Sequence, residues 1–214
     1  RQRQMCIRDR PQTPVVARPE ELLGRPSPVS SIPSALSGQP FPIGTNDRVT
    51  VVNFWAAWSS QSRRHAAIMQ NLYTYYFGKG VTQVNVSVDP LKTVQEISSA
   101  GQQCGLVPGS VAVDPRYETA AKFGIKSIPT VILVGKNGVV EAIHEGVPEQ
   151  LEAYEEMLKS QIDLLLEGRS RVDFAPIVKP AGLADAMEVQ ATGATLPGPR
   201  LTVESTRQDL GGVN

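Results

Sequence analysis

The chain has 214 residues, 41% of them hydrophobic, and its 21 basic and 21 acidic side chains leave no formal net charge. This composition is ordinary for a packed protein and predicts one globular domain with tails. The balanced charge offers nothing to draw nucleic acid or an acidic membrane surface, and no apolar run approaches the ~18 residues of a membrane span. The first residues also lack the apolar core of a secretory signal.

Residues 1–21 are predicted to form a disordered leader. We interpret 1–10, which contain Cys6, as a non-native read-through segment; if they are native, they form a short basic arm, with a membrane-surface contact as the sharper alternative. Because the sequence starts with Arg1, we expect its true beginning to lie upstream. Pro, Ser and Gly dominate 11–44, which predicts an extended lead into a domain spanning 22–171.

From Val49 onward, strands alternate with helices, a pattern typical of βαβ units around a sheet. Helical spacing of apolar residues, Gly stops and β-branched runs place the boundaries. The predicted elements are strands at 49–55, 81–88 and 110–114, helices at 60–77, 91–104 and 118–123, hairpin strands at 130–134 and 139–144, and a final helix at 148–167.

Two signals mark the end of the domain. Asn137-Gly138 between two apolar strands is the strongest short-range signal for a β-hairpin. Beyond Arg171 the periodicity disappears, and 172–214 contain few large apolar residues to offset the entropy of ordering. We therefore predict a mostly disordered tail, with a peptide that folds onto a partner as the alternative.

The most informative stretch is Trp55 to Arg63, which follows the first predicted strand. A dithiol active site places a cysteine at a helix N-terminus, where unpaired N–H groups and the helix dipole stabilise a thiolate. Ser59 and Ser62 stand at that spacing here. A serine hydroxyl stays protonated at physiological pH and forms no disulfide, so exchange through a mixed disulfide is closed to this pair.

With Ser127-Ile128-Pro129-Thr130 further along, this stretch resembles the thioredoxin-like superfamily, most closely its TlpA/ResA-type thiol-disulfide oxidoreductases. The resemblance covers roughly 22–169. It rests on the matching residues Trp55, Ala56, Trp58, Arg63, Ile128, Pro129, Thr130 and Gly146, whereas Ser59 and Ser62 depart from the family's two cysteines. It implies an α/β fold with a central mixed sheet flanked by helices and a cis proline before the C-terminal hairpin.

The resemblance also implies a binding groove. In the family, the cis proline places the backbone of the residue before it beside the redox motif, where it pairs with an extended polypeptide. Trp55, Trp58, Ile128 and Pro129 would supply its apolar wall. The leading hypothesis is a redox-inactive module, structural or polypeptide-binding, with no catalytic residue at Ser59 or Ser62.

Two other hypotheses stay open. The chain could be a diverged or engineered variant of an active thiol-disulfide oxidoreductase, in which only the sulfur atoms were exchanged. The chain could also carry out peroxidase chemistry like the related peroxiredoxins, but the peroxidatic cysteine of those enzymes is missing from this sequence too. Relatives of this type are usually extracytoplasmic and often held by an N-terminal anchor, which is the one membrane contact that the resemblance implies.

The serines have two interpretations. We favour Ser59 as the N-cap of the helix, where its oxygen accepts a backbone N–H, an interaction worth ~1 kcal/mol over alanine. The alternative is a serine nucleophile, because Ser62 and His65 lie three apart on one helix face. No Gly-x-Ser-x-Gly elbow and no third orienting group support that alternative.

The remaining candidate site residues, a cysteine, two histidines and an asparagine, give little indication of catalysis or of metal or cofactor binding. Cys104 is predicted to be a small buried side chain at a helix end, with a lone regulatory thiol as the alternative. His65 and His144 lie too far apart in sequence to indicate a metal site, and no phosphate loop or dinucleotide fingerprint predicts a cofactor. Asn53 occupies a strand position where one branch of the family keeps a buried proton-transfer carboxylate, which an amide cannot replace.

Overall fold

The computed structural model describes residues 18–45, 47–90, 93–174 and 185–186. Its strands are β1 Ser31–Pro33, β2 Pro40–Pro42, β3 Val49–Trp55, β4 Val81–Ser87, β5 Val111–Val113, β6 Ser127–Ile128, β7 Thr130–Val134, β8 Val140–Glu145 and β9 Asp185–Ala186. Its α-helices are α1 Ser60–Tyr76, α2 Val94–Gln103, α3 Glu118–Lys122 and α4 Leu151–Leu166. Short 3-10 turns lie at Pro19–Leu22, Pro108–Ser110 and Arg171–Asp173.

A five-stranded mixed sheet in the order β5-β4-β3-β7-β8 forms the centre. β3, β4 and β5 run parallel, β7 is antiparallel to β3, and β8 is antiparallel to β7. Parallel strands need crossover connections, which α1 and the α2 segment supply, whereas β7 and β8 need only a tight turn. The predicted α/β class and mixed sheet are confirmed.

The central strand β3 is buried on both faces, so its apolar residues alternate between two cores. Val51 and Trp55 pack with residues of α1 and α4, while Val52 and Phe54 face the opposite side. The second core is covered by α3 and by the N-terminal lead, which contributes a buried Ile32. A strand of this kind reads as a continuous apolar run because neither face meets water.

The hairpin turn at Asn137-Gly138 is confirmed. Gly138 has φ +77° and donates its N–H to the carbonyl of Gly135 at 2.9 Å. The lead packs directly on this turn: a Cβ added to Gly44, whose φ is +58°, would lie 2.4 Å from the Cα of Gly138. Position 44 therefore needs glycine for both backbone conformation and space.

Several boundaries differ from the predictions. α2 begins at Val94 rather than 91, because Thr93 and Glu96 form a capping box, and positions 91–92 lie outside the described residues. α4 begins at Leu151 rather than 148. The N–H of Gly146 still donates to the carbonyl of Pro129 at 2.8 Å, so the chain leaves the sheet later than expected.

The ends of the domain also differ. Pro19 and Leu22 are buried, so the folded unit starts a few residues before the expected boundary at 22. The expected disorder of residues 1–17 and of most of the tail lies outside the described residues, but β9 is a short strand within that tail. Among the described helices, none is long and apolar enough to cross a membrane.

Candidate functional site

Ser59 is the N-cap of α1, as predicted. Its backbone is extended, with φ −77° and ψ 120°, and its Oγ accepts the N–H of Ser62 at 2.9 Å. The two serines are only 1% and 2% exposed. The hydroxyl at the first position of the pair thus satisfies an N–H that the helix itself leaves without a partner.

The turn between β3 and α1 is held by two further acceptors. The Oγ of Ser62 accepts the N–H of Ala56 at 3.3 Å, and Oδ2 of Asp89 accepts the N–H of Ala57 at 2.9 Å. Asp89 is fully buried and also accepts the hydroxyl of Ser87 at 2.8 Å. Both serines and Asp89 therefore fix the backbone at the N-terminus of α1 by accepting its N–H groups or those of the preceding turn.

Sequence reasoning missed Asp89 as a site residue and treated Asp89-Pro90 only as the end of a strand. A signal was available. Trp55 pairs with Ser87 at the ends of β3 and β4, so the second residue after β4, Asp89, lies beside the second residue after β3, Ala57, where the serine-bearing turn begins.

One cationic side chain, Arg63, and one aromatic side chain, Trp58, lie at the surface of this turn. Nη1 of Arg63 donates to the carbonyl of Ala57 at 2.7 Å and places a guanidinium beside the helix mouth. Trp58 is 50% exposed. It is the one large apolar side chain of the predicted site that reaches the solvent in this structure.

The second half of the predicted site lies at the same end of the sheet. The Ile128–Pro129 peptide bond is cis, as the resemblance implies. Phe54 pairs with Thr130 across β3 and β7, which brings Pro129, one residue before β7, next to the end of β3. The sheet thus joins the serine pair and the proline turn, which are about 70 residues apart in sequence.

Three of the four side chains predicted to line the groove are buried in the structure instead. Trp55 and Ile128 are buried and pack into the two cores, and Pro129 is buried as well. Side chains that the strands direct into the core cannot also line a surface groove. At the turn, Trp58 is the exposed side chain, and the backbone of β6 lies outside the central sheet, where it pairs with β9.

Asn53, on β3 before the serine pair, is an uncharged side chain in a buried hydrogen-bond network. Nδ2 of Asn53 donates to Oδ1 of Asn85 at 2.9 Å, and Nδ2 of Asn85 donates to the hydroxyl of Ser110 at 2.8 Å. The last hydrogen bond of this network runs from the hydroxyl of Ser110 to the carbonyl of Val107 at 2.7 Å. Amides and hydroxyls of this kind do not titrate in the physiological range, so Asn53, Asn85 and Ser110 supply no titratable proton acceptor.

Cys104 lies at the C-cap of α2 and is half-buried rather than fully buried. Burial raises the pKa of its thiol; Arg63 opposes this rise and Asp89 adds to it. The thiol is therefore held in its protonated, unreactive form at neutral pH.

His65 is completely buried within α1, and neither ring nitrogen has a hydrogen-bond partner in the described structure. Burial, with a smaller effect of His144, lowers the pKa of His65 to about 3. His144 instead makes a 2.8 Å contact with Oε1 of Gln161. A neutral imidazole shut away from water has no route to act as the base of a serine nucleophile.

Two further observations concern metal and small-molecule sites in the described ranges. Those residues contain no group of three or more His, Cys, Asp or Glu side chains arranged to hold a metal ion. A cavity of about 190 Å³ lies beside Tyr73, Phe77 and Val81, at the opposite end of the sheet from Pro129. It is smaller than the ~300 Å³ at which small-molecule sites begin.

Residues 39–143 match the AhpC/TSA family. The chain is 31% identical over 105 residues to the thiol-disulfide oxidoreductases ResA of Bacillus anthracis and of Bacillus thuringiensis strain Al Hakam. Those matches cover 48% of this chain and 59% of each relative. A chain classed as a thiol:disulfide interchange protein DsbE, from Chlorobium tepidum, is 26% identical in sequence and superposes with a TM-score of 0.57. That superposition covers 67% of this chain and 97% of the other.

The chain has a thioredoxin-like fold. It resembles the TlpA/ResA-type members, as the motifs around Trp55 and Pro129 predict. A conserved protein from Geobacillus kaustophilus, 17% identical with a TM-score of 0.66 over 80% of this chain, shares the fold. Since this thioredoxin-like chain spans 59% of the length of the ResA relatives, activity and partners do not follow from their names.

Proposed function

We propose that this thioredoxin-like chain is redox-inactive at the Ser59/Ser62 pair and acts as a module that binds an extended polypeptide at the β6 backbone. The observation that carries the proposal is the hydrogen bonding of the two serines. Ser59 accepts the N–H of Ser62, and Ser62 accepts the N–H of Ala56. Both oxygens serve the backbone at the position where an oxidoreductase of this type would hold sulfur.

Electron exchange requires a thiolate and a second sulfur to form a disulfide. Neither serine provides either. Cys104 is the one thiol among the described residues, so no second cysteine is there to form a disulfide with it, and burial holds it protonated. Relatives of this chain are named thiol-disulfide oxidoreductases, so the proposal separates the fold that they share from the reaction that they are named for.

Binding is supported by the proline turn. Thr130 donates its hydroxyl to the carbonyl of Ser127 at 2.8 Å, and Ser127 donates its own to Oε2 of Glu145 at 3.2 Å. With Ile128 anchored in the core, the loop is held rigidly from inside. A rigid strand edge can add an extended segment through main-chain hydrogen bonds without first being ordered.

Insulin reduction with dithiothreitol tests the first half of the proposal. We expect no turnover above the background rate, and the same background for a Cys6→Ser/Cys104→Ser control, which leaves the chain without a thiol. Turnover by the unmodified chain that survives in this control would refute inactivity at the serine pair.

A Ser59→Cys/Ser62→Cys double variant addresses the competing hypothesis of a variant oxidoreductase. If only the sulfur atoms were exchanged, the helix mouth should lower the pKa of the first restored thiol below its ordinary value of about 8.5 and give a measurable reduction potential. A restored thiol with an ordinary pKa and no catalysis would show that the surroundings have diverged as well.

The second half is tested by titrating the ¹⁵N-labelled chain with a reduced, unfolded polypeptide. We expect the amide signals of Ser127 and Ile128 to shift, and those of the distant cavity residues Tyr73 and Val81 to stay. Saturating polypeptide that moves none of the amides at the proline turn would refute the binding role.

A further inference from the structure

The β6 edge is already occupied within the chain. β6 does not belong to the five-stranded sheet, and the strand that pairs with it is β9. The pairing is antiparallel, with Ser127 opposite Ala186 and Ile128 opposite Asp185. A piece of the C-terminal tail therefore lies on the same backbone that the proposed function assigns to an extended polypeptide.

The start of the tail is anchored to the domain. The backbone N–H of Arg171 donates to Oε2 of Glu141 on β8 at 2.8 Å, and Phe174 packs against the first core. Ten residues separate Phe174 from Asp185, a length that spans at most ~40 Å when fully extended. A tether this short holds β9 near the edge at an effective concentration in the millimolar range.

We propose that β9 is a tethered occupant of the β6 edge, so that an incoming polypeptide must displace the chain's own tail. The proposal rests on the proposed function, because it concerns the same edge. The tail supplies what strand addition requires: an extended backbone of antiparallel polarity, delivered at high local concentration.

The occupancy is of a displaceable kind. Only two residues of β9 pair with β6, so the ladder contains few hydrogen bonds, and ordering the tail opposes them. A partner segment that extends the pairing or contacts the exposed Trp58 would replace the tail. Such a partner is an extended polypeptide with free N–H groups at the paired positions, since proline cannot donate to a ladder.

Amide hydrogen exchange tests the occupancy without any partner. We compare the full chain with an Asp185→Pro/Ala186→Pro variant, which cannot form the ladder, and with an Ala194→Pro/Thr195→Pro variant as the matched control elsewhere in the tail. Adjacent amides of a strand point to opposite sides, so only one of Ser127 and Ile128 points its N–H toward β9. The D185P/A186P changes should accelerate exchange at that amide, whereas the control should leave it unchanged. Equal exchange rates in all three chains would overturn the proposal.

The exchange experiment is repeated at tenfold lower protein concentration. Protection that persists on dilution supports a tail from the same chain. Protection lost on dilution would mean that the tail of a second copy occupies the edge, and it would overturn the intramolecular assignment.

Competition is measured with a synthetic peptide of residues 181–190 added in trans. If about one chain in ten has an open edge, the peptide should bind the D185P/A186P variant about tenfold more tightly than the full chain or the control. Equal affinity for all three would overturn the proposal. If the exchange result holds while neither this peptide nor an unfolded polypeptide binds any chain, the tail occupies the edge and the polypeptide-binding function alone fails.

Discussion

Lowering the pH should destabilise this fold through the single buried imidazole of His65. The side chain is 0% exposed, its two nitrogens have no partner in the described structure, and its pKa is lowered from 6.5 to about 3. Burial is the main cause and His144 the lesser one. The ring of Tyr154 lies 5.8 Å from His65 and offers no charge to offset a proton.

The direction follows from proton linkage. Because the folded-state pKa lies below the unfolded-state value, the unfolded chain takes up the proton first, and the free energy of unfolding falls as the pH drops from about 6.5 toward 3. Above that window His65 contributes no pH dependence. At 1.36 kcal/mol per pH unit, the loss from this one residue reaches about 2 kcal/mol at pH 5 and about 3 kcal/mol at pH 4.

Urea unfolding followed by far-UV circular dichroism at pH 8, 6, 5 and 4 measures the effect. The comparison is between the parent chain and His65→Leu, which removes the titrating group and the unpaired nitrogens at similar volume. At pH 8 the two should agree within about 1.5 kcal/mol, and at pH 5 the leucine variant should have gained about 2 kcal/mol relative to the parent. Carboxylates titrate equally in both chains, so the difference isolates His65.

A His144→Gln variant serves as the control, because it removes the other histidine and leaves the burial of His65 in place. It should retain most of the acid sensitivity of the parent. If the parent and H65L curves run parallel from pH 8 to pH 4, the imidazole is not held neutral by burial and the reasoning is wrong.

Three further substitutions test the site and its frame through urea midpoints. Ser59→Ala should cost about 1 kcal/mol by removing the N-cap oxygen, whereas Ser60→Ala, on the exposed neighbour, should change stability by less than about 0.5 kcal/mol; equal effects would argue against capping. Asp89→Ala should cost about 1–3 kcal/mol, because the partly buried N–H of Ala57 and the buried hydroxyl of Ser87 lose their acceptor, and an unchanged midpoint would remove Asp89 from the site. Gly44→Ala should cost about 1–3 kcal/mol more than Gly38→Ala, because both positions have positive φ but only Gly44 meets another backbone atom, and similar losses would show that this contact is not tight.

The central sheet and its helices were predictable because their signals are local. The uninterrupted apolar run of β3 could be recognised as a strand buried on both faces, and the Asn137-Gly138 pair fixed the hairpin. Helix ends were less accurate wherever a contact distant in sequence decides them. α4 starts at Leu151, after a segment in which the N–H of Gly146 donates to the carbonyl of Pro129, a contact that periodicity does not reveal.

Two strands in the lead escaped prediction for a related reason. β1 and β2 are three residues each and contain prolines at their ends, a composition that weighs against strands. They form because Ile32 is buried against the sheet. Burial against a partner surface outweighs local propensity, and single-sequence reasoning has no access to that surface.

The candidate site was predictable in its parts and not in its connections. The motif around Ser59 and the cis proline could be found from sequence, and the N-cap role of Ser59 followed from the preference of helix starts for serine. Asp89 and the pairing of β9 with β6 depend on which chain ends the sheet brings together. The apolar wall was placed at the surface because the sequence gives no sign of how fully the core takes up Trp55 and Ile128.

An oxygen at position 59, where an active dithiol site would hold sulfur, has consequences in both directions. A thiolate at a helix mouth draws its low pKa from N–H groups that the helix leaves unpaired, so an active dithiol depends on those donors being available to sulfur. In this chain, the oxygen of Ser59 takes one of them in a 2.9 Å hydrogen bond. Because sulfur is a weak acceptor, a protonated cysteine at this position would cap the helix less well. Serine therefore favours a firmly closed helix start over a reactive atom, which suits a domain whose proposed function lies in the backbone of β6 rather than in a thiol.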